Sequence, residues 1–295
     1  MLLILFTLLA GLLQPLNINE PQVLGIESER AAVNYARPIR DQNFLGVKIE
    51  AQAAVVIDLT SGEVLFEKNS QQKLPIASLT KIMTVLVALE KSSLNLAEVV
   101  TITKEASQMK YAGSDINLLA NEKITVHNLI RGALISSGND AAVALAEYVG
   151  GDINNFVKLM NNRADSLNLK NTRFANPHGL DEENNYSSAF DLAQISRQAY
   201  FNNVFKENIS LNTFSFQSAN SRRTHNLNNT NKLLNNSWLN ILGGKTGTTG
   251  GAGECLMLIA ENESGHKIIT VLLNSPDRFT ESKILIDWIF KAYSW

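Results

Sequence analysis

The sequence holds little of what would mark a disulfide scaffold, a metal centre or a nucleic-acid surface. Cysteine occurs once in 295 residues, at Cys255, so no internal disulfide framework is available. Its setting, "ECLMLIA", predicts a small buried core residue. The four histidines, His127, His178, His225 and His266, show no metal-ligand spacing, and neither a metal site nor a cofactor is expected. Lysine plus arginine number 26 against 28 aspartate plus glutamate, a formal net charge of −2. No basic field therefore points to nucleic acid. Internal repeats and low-complexity tracts are absent, although asparagine is abundant.

Long apolar runs are missing too, with one exception at the start. Residues 1–13, "MLLILFTLLAGLL", carry no charged side chain. That is short for a membrane span, which needs ~17–25 residues, and close to the length of a secretory h-region. A basic n-region and a clean small-x-small cleavage site are both lacking. Residues 1–20 are expected to be an export signal or a short N-terminal anchor. The protein would then work in the periplasm, or otherwise outside the cytoplasm at the outer face of the membrane. Residues 21–46 have no sustained period and read as a linker, leaving 47–295 as one domain.

Within that domain, strand patterns lie at both ends and helical patterns fill the middle. "AAVVIDLTSGEVLFEKN" is two β-rich runs around Thr60-Ser61-Gly62-Glu63, a hairpin signal. Pro75 then precedes a helical pattern over 76–89, and proline suits a first helical turn. Residues 94–205 carry apolar side chains at spacings of three and four. "ECLMLIAENESGHKIITVLLNS" reads as a second hairpin turning at Glu263-Ser264-Gly265-His266. "FTESKILIDWIFKAYSW" closes the chain as an amphipathic helix, with Leu285, Trp288, Ile289 and Ala292 facing a core. The simplest architecture is α/β in the α+β sense: an antiparallel β-sheet flanked by helices, with a mainly helical insertion.

Three short motifs stand out against that background. Ser-x-x-Lys is a weak pattern, expected about once in a chain of this size, and it occurs at Ser70, Ser78, Ser107 and Ser264. Only Ser78-Leu-Thr-Lys81 stands at a helix start with a strongly apolar run behind it. Ser-x-Asn recurs and is no better alone. Lys245-Thr246-Gly247 occurs once, inside "GGKTGTTGGAG", where the chance expectation is well below about 0.1. Its glycines allow another chain to approach the backbone closely.

In order, Ser78-x-x-Lys81, Ser137-Gly-Asn139 and Lys245-Thr246-Gly247 resemble the motif trio of the penicillin-binding serine transferases and hydrolases. "SSGNDAAVALAE", "NPHGLDEENNYSSAFDLAQIS", "NTNKLL" and "GGKTGTTGGAGECL" narrow the resemblance to the low-molecular-weight D-alanyl-D-alanine carboxypeptidases of the S11 serine peptidase family. It runs from about residue 51 to 295. The resemblance implies the penicillin-binding/β-lactamase-like fold and a serine-type hydrolase that removes the terminal D-alanine from peptidoglycan stem peptides. β-Lactam antibiotics would acylate it.

A serine hydroxyl is a poor nucleophile at neutral pH and needs an adjacent base. Lys81 can serve only as a neutral amine, which requires its pKa to fall by ~3 units from 10.4, about 4 kcal/mol against the charged form. Burial among Ile76, Ile82 and Met83, the positive end of a helix, and Lys245 brought alongside would all act in that direction. The backbone N–H of Ser78, in a helix's first turn, is placed to meet an oxyanion. The resemblance puts the second donor on Thr248. It also implies that Ser137 relays a proton to the leaving amine, that Asn139 bonds the substrate amide, and that Lys245, Thr246 and Gly247 hold substrate from the sheet side. A free terminal carboxylate suits an arginine fork, with Arg278 in "SPDRFTESK" the candidate.

Other readings remain. A D,D-endopeptidase cutting cross-links would use the same residues, and a non-enzymatic wall-binding protein would need none of them. A class A-like β-lactamase would need a glutamate-held water, but no matching glutamate loop is visible, and the middle motif is Ser-Gly-Asn, not Ser-Asp-Asn. Asp181, Glu182 and Glu183 read as a solvated acidic loop, and His178 as a turn residue on the floor of the site.

Overall fold

A computed structural model describes residues 37–91 and 93–295. The apolar opening run and the first part of the expected linker lie outside the described residues. Strand β1 (Ile39–Arg40) comes first, then β2 (Ala53–Asp58) and β3 (Val64–Lys68). The last two form the expected first hairpin: the Asp58 carboxylate accepts from the Ser61 N–H at 2.6 Å and the Ser61 hydroxyl at 2.8 Å. Gly62 turns the corner at φ +78°, a conformation glycine adopts without a β-carbon clash.

A short 3₁₀ turn (Ala77–Leu79) then leads into α1 (Thr80–Leu89). The helical middle holds β4 (Val99–Thr101), α2 (Lys104–Gln108), β5 (Lys123–Thr125), α3 (Val126–Leu134), α4 (Asn139–Gly150), α5 (Ile153–Ser166), α6 (Ala189–Tyr200) and α7 (Asn203–Ile209). Short polar side chains start several of these helices. Thr103, Thr125, Asp152, Ser188 and Asn202 each accept from a first-turn backbone N–H, a contact worth ~1 kcal/mol. The ladder of β6 (Thr213–Gln217) and β7 (Thr224–Asn228) follows. The long strands β8 (Asn240–Thr249), β9 (Gly253–Glu261) and β10 (Lys267–Ser275) come next, then α8 (Arg278–Ala292) and β11 (Tyr293–Ser294).

The main sheet is five-stranded, in the order β3-β2-β10-β9-β8, with every neighbouring pair antiparallel. Both its faces are covered, which explains why β2, β9 and β10 read as continuous apolar runs. Strand residues alternate between faces. Val55, Ile57, Met257, Ile259, Ile269 and Val271 join the core of the helical insertion, while Ala54, Val56, Leu256, Leu258, Ile268 and Leu272 pack with Leu285, Ile286 and Ile289 of α8. The stripe expected on the closing helix is thus a core face, and Cys255 is fully buried in the first cluster.

Two expectations shift. Ile39 and Arg40, inside the stretch read as linker, pair antiparallel with Ser294 and Tyr293. A two-residue strand shows no period, so only its distant partner reveals it. The helix behind Pro75 also starts later than its pattern suggested. Leu74 instead bridges Ser187, and Ala77 takes φ +48°, which breaks the helical path before Ser78.

Candidate active site

Backbone conformation singles out the site before any side chain does. Among the described residues, positive φ outside glycine occurs at five asparagines, at Ala77 (+48°) and at Ser137 (+61°). Asparagine tolerates that region; for other residues it costs ~1–2 kcal/mol. The two residues least suited to it sit at the first and second motifs, and strain of this kind clusters where function demands it. At Ala77 the kink delivers Ser78 into the 3₁₀ turn ahead of α1. Gly179 lies against that kink, and a β-carbon there would fall 1.9 Å from the Ala77 carbonyl oxygen.

Position i+3 from Ser78 brings Lys81 back onto the serine. The amine is fully buried. Its Nζ lies 2.9 Å from the Ser78 Oγ, 2.7 Å from the Asn139 Oδ1 and 2.7 Å from the His178 carbonyl oxygen. Such a shell could satisfy an ammonium, so charge has to decide its state. Burial holds the Lys81 pKa well below the usual lysine range, the positive charge of Lys245 lowers it further, and the Asp140 carboxylate opposes both. The two lowering causes win. As a neutral amine, Lys81 gives its N–H bonds to Asn139 and His178 and keeps a lone pair for the Ser78 hydroxyl. His178 contributes through its backbone; burial, then Lys81, push its imidazole down to about 3.

The second motif enters between α3 and α4. Asn139 presents Oδ1 to Lys81 while its Nδ2 donates to the Ala112 carbonyl at 3.0 Å. Ser137, 4% exposed, joins by position, two residues before Asn139 in the positive-φ turn. Asp140 was not singled out from the sequence, yet its buried carboxylate accepts from the N–H groups of Ile116, Leu118 and Ala141 at 2.8–3.1 Å. Burial nevertheless raises its pKa.

The third motif forms the inner edge of β8. Lys245 is 1% exposed and donates to the Thr246 carbonyl at 3.0 Å. Burial, then Arg278, lower its pKa to about 7. The Thr246 hydroxyl lies 2.5 Å from that of Thr230. A β-carbon on Gly247 would fall 3.0 Å from the Ser78 nitrogen and 3.1 Å from the Ile76 oxygen, so glycine lets the strand run this close without displacing the turn. Arg278 does not project freely. Its Nη1 donates to the Gly247 carbonyl at 2.7 Å and to the Thr248 Oγ1 at 2.6 Å, and its Nε is buried without a hydrogen-bond partner.

Asp181, expected as part of a solvated loop, is exposed yet engaged. It accepts from the Thr249 hydroxyl at 2.5 Å and the Gly251 N–H at 2.9 Å, tying the β8–β9 turn to the loop that carries His178. Neither Asp140 nor Asp181 has a local sequence signal that reveals its role, since Ile116 and Leu118 in the first case, and Thr249 and Gly251 in the second, lie more than twenty residues away. An apolar cavity of about 930 Å³ walled by Leu45, Trp238, Ile284 and Trp288 lies against α8 and shares no residue with this site.

The arrangement can carry acyl transfer. It holds a hydroxyl beside a buried amine whose pKa is well depressed, backbone N–H groups on facing elements, and the Arg278 guanidinium on the sheet side. Comparisons with known proteins show what the chain is similar to. The chain is 37% identical over 252 residues to the D-alanyl-D-alanine carboxypeptidase DacF of Bacillus subtilis, covering 83% of this chain and 63% of that one. A D-alanyl-D-alanine endopeptidase of Pseudomonas aeruginosa is 37% identical over 235 residues, covering 78% and 74%. The crystal structure of the Streptomyces K15 DD-transpeptidase superimposes with a TM-score of 0.80 at 30% identity, covering 84% of this chain and 99% of that one. The chain spans just under two thirds of the length of the curated carboxypeptidases it matches, 63% for DacF and 64% for DacC of Escherichia coli. The family model for D-alanyl-D-alanine carboxypeptidases matches residues 39–277, and the chain belongs to that family, peptidase S11.

Proposed function

We propose that this protein is a serine D,D-carboxypeptidase that removes the terminal D-alanine from peptidoglycan stem peptides outside the cytoplasm, and that β-lactams acylate it. The observation that carries this reading is the buried Lys81 amine, its pKa well depressed, 2.9 Å from the Ser78 Oγ. Ser78 attacks the carbonyl of the penultimate D-alanine as Lys81 takes the hydroxyl proton. The backbone N–H groups of Ser78 and Thr248 receive the oxyanion, each worth ~3–4 kcal/mol in such sites. The tetrahedral intermediate collapses, the C–N bond breaks, and Ser137 relays the proton held by Lys81 to the leaving D-alanine amine, which restores the neutral lysine for the attack of water. Water then hydrolyses the acyl-Ser78 ester. Asn139 orients the peptide amide, Lys245, Thr246 and Gly247 hold the substrate along β8, and Arg278 supplies positive charge toward its terminal carboxylate.

Intact-mass measurement after penicillin exposure tests the reading. The parent gains one penicillin mass and Ser78→Ala gains none; equal labelling of both would refute the nucleophile. The Pseudomonas relative motivates a second reading, cleavage of cross-links. Activity on a free pentapeptide supports the carboxypeptidase, and activity confined to a cross-linked dimer supports the endopeptidase.

A further inference from the structure

Outside the reacting groups, the described chain buries one further histidine–carboxylate pair. His225 lies on β7, and its side chain is 2% exposed against 4% for Glu122. The ring stacks on Phe216, centroids 4.9 Å apart. Its Nδ1 lies 2.8 Å from the Ile116 carbonyl oxygen and its Nε2 lies 2.8 Å from the Glu122 Oε1. The other carboxylate oxygen of Glu122 accepts from the Leu119 N–H at 2.9 Å. A carbonyl only accepts, so Nδ1 carries a hydrogen. The Nε2–Oε1 bond then needs one more proton, on either partner. Both ends of the ring are thereby committed, in a place where an unmade hydrogen bond is costly.

The segment 112–122 held this way is the backing of the second motif. The Ile116 N–H donates to the Asp140 carboxylate at 3.1 Å, and the Asn139 N–H donates to the Ser114 carbonyl at 2.8 Å. The Asn139 side chain donates to Ala112. A β-carbon on Gly138 would fall 3.1 Å from the Ile116 Cγ2, and one on Gly132 would fall 2.6 Å from its Cδ1. Ile116 is thus clamped at its nitrogen, its oxygen and its side chain. From the other end of β7, the Asn228 N–H donates to the Ser136 hydroxyl at 2.9 Å, and Thr230 meets Thr246.

We propose that His225 and Glu122 are a positioning pair for Ser137 and Asn139. Through Ile116 they fix the segment from which the Asn139 amide is aimed at Lys81, and so they set the rate of acylation more than the affinity for the acylating ligand. The proposal rests on the acyl-serine reading above. Misplacing a catalytic group by about 1 Å costs as much as a hundredfold.

The test measures penicillin acylation of the full chain by stopped flow, separating the rate at saturation from the dissociation constant. His225→Ala and Glu122→Leu are expected to slow the saturated rate about ten- to hundredfold, with the dissociation constant within about threefold. Glu122→Gln restores the rate, because its amide can donate to Nε2 while its oxygen still accepts from Leu119. Phe216→Leu, which loosens the same core but touches neither bond, lowers the melting temperature and keeps the rate. Parent-like acylation in folded His225→Ala and Glu122→Leu overturns the proposal, as does an equal rate loss in Phe216→Leu. Should His225→Ala not fold, the two Glu122 variants decide. If penicillin fails to acylate even the parent, the functional reading falls separately. Amide exchange at Ile116 and Leu118 then judges the clamp, and unchanged protection in Glu122→Leu overturns it.

Discussion

Gly247 runs so close to Ser78 that a β-carbon on the glycine would fall 3.0 Å from the serine's backbone nitrogen. The contact joins a strand edge to the 3₁₀ turn that carries the nucleophile, and it brings the two proposed oxyanion donors to one place. It also explains why Lys-Thr-Gly is informative as a motif. The lysine and threonine are the members proposed to hold substrate, whereas the glycine is there for space.

Gly247→Ala is therefore expected to fold and to acylate slowly. The added methyl needs a shift of a few tenths of an ångström in either β8 or the turn, and both carry a donor. Loss of one such donor typically costs 10²–10³ in rate. Stopped-flow acylation beside a thermal melt checks this. A parent-like rate would mean that the close approach is incidental to catalysis.

If Lys81 is the base proposed above, the acid limb of the pH–acylation profile marks its protonation, and the limb's position is set by neighbours of opposite sign. Lys245 lowers the Lys81 pKa and Asp140 raises it. Removing a neighbouring positive charge favours the ammonium. Lys245→Met is thus expected to move the limb to higher pH, whatever it does to the maximum rate. Asp140→Asn is expected to move it to lower pH. Profiles of the second-order acylation constant decide the matter, and a downward shift in Lys245→Met would contradict the assigned base.

Arg278 holds the Gly247 carbonyl and the Thr248 hydroxyl through one nitrogen, so its loss should loosen the strand edge as well as remove charge. Hydrogen bonds to charged groups are worth ~1.5–3 kcal/mol. Arg278→Leu is expected to lower kcat/KM for a D-Ala-D-Ala peptide by about ten- to hundredfold. The loss should be smaller for an amidated peptide that lacks the carboxylate. Equal losses on both substrates would assign the arginine to the strand alone.

Much of this was legible in the sequence because it is local. Both hairpins announce themselves through a turn and flanking β-rich runs, and the Ser78–Lys81 pair through helical spacing. The face-covering helices follow from continuous apolar strands. What escaped is non-local. Asp140 reads as an ordinary helix residue until Ile116 and Leu118 arrive at its oxygens. Asp181 is solvated as expected, but its bonds to Thr249 and Gly251 show only once the β8–β9 turn arrives beside it. Ile39 and Arg40 read as linker until the chain returns more than 250 residues later. The offset start of α1 escaped for another reason. No sequence rule forecasts an alanine at positive φ, because surrounding packing imposes it.

That packing can be probed at Gly179, which adopts φ +91° against the Ala77 carbonyl, and compared with Gly151, which adopts φ +80° with open space around it. Both positions penalise a β-carbon through the backbone alone, by ~1–2 kcal/mol. Only at Gly179 would the carbon also collide, 1.9 Å from a backbone oxygen that cannot swing aside as a side-chain tip would. Overpacking adds typically 1–3 kcal/mol more. Gly179→Ala should therefore melt well below Gly151→Ala, and the difference isolates the collision from the φ strain. It should also acylate slowly even where folded, since the oxygen it displaces belongs to the kinked residue that aims Ser78. Matched melting temperatures and matched acylation rates for the two variants would mean that the Ala77 kink stands without the support of Gly179.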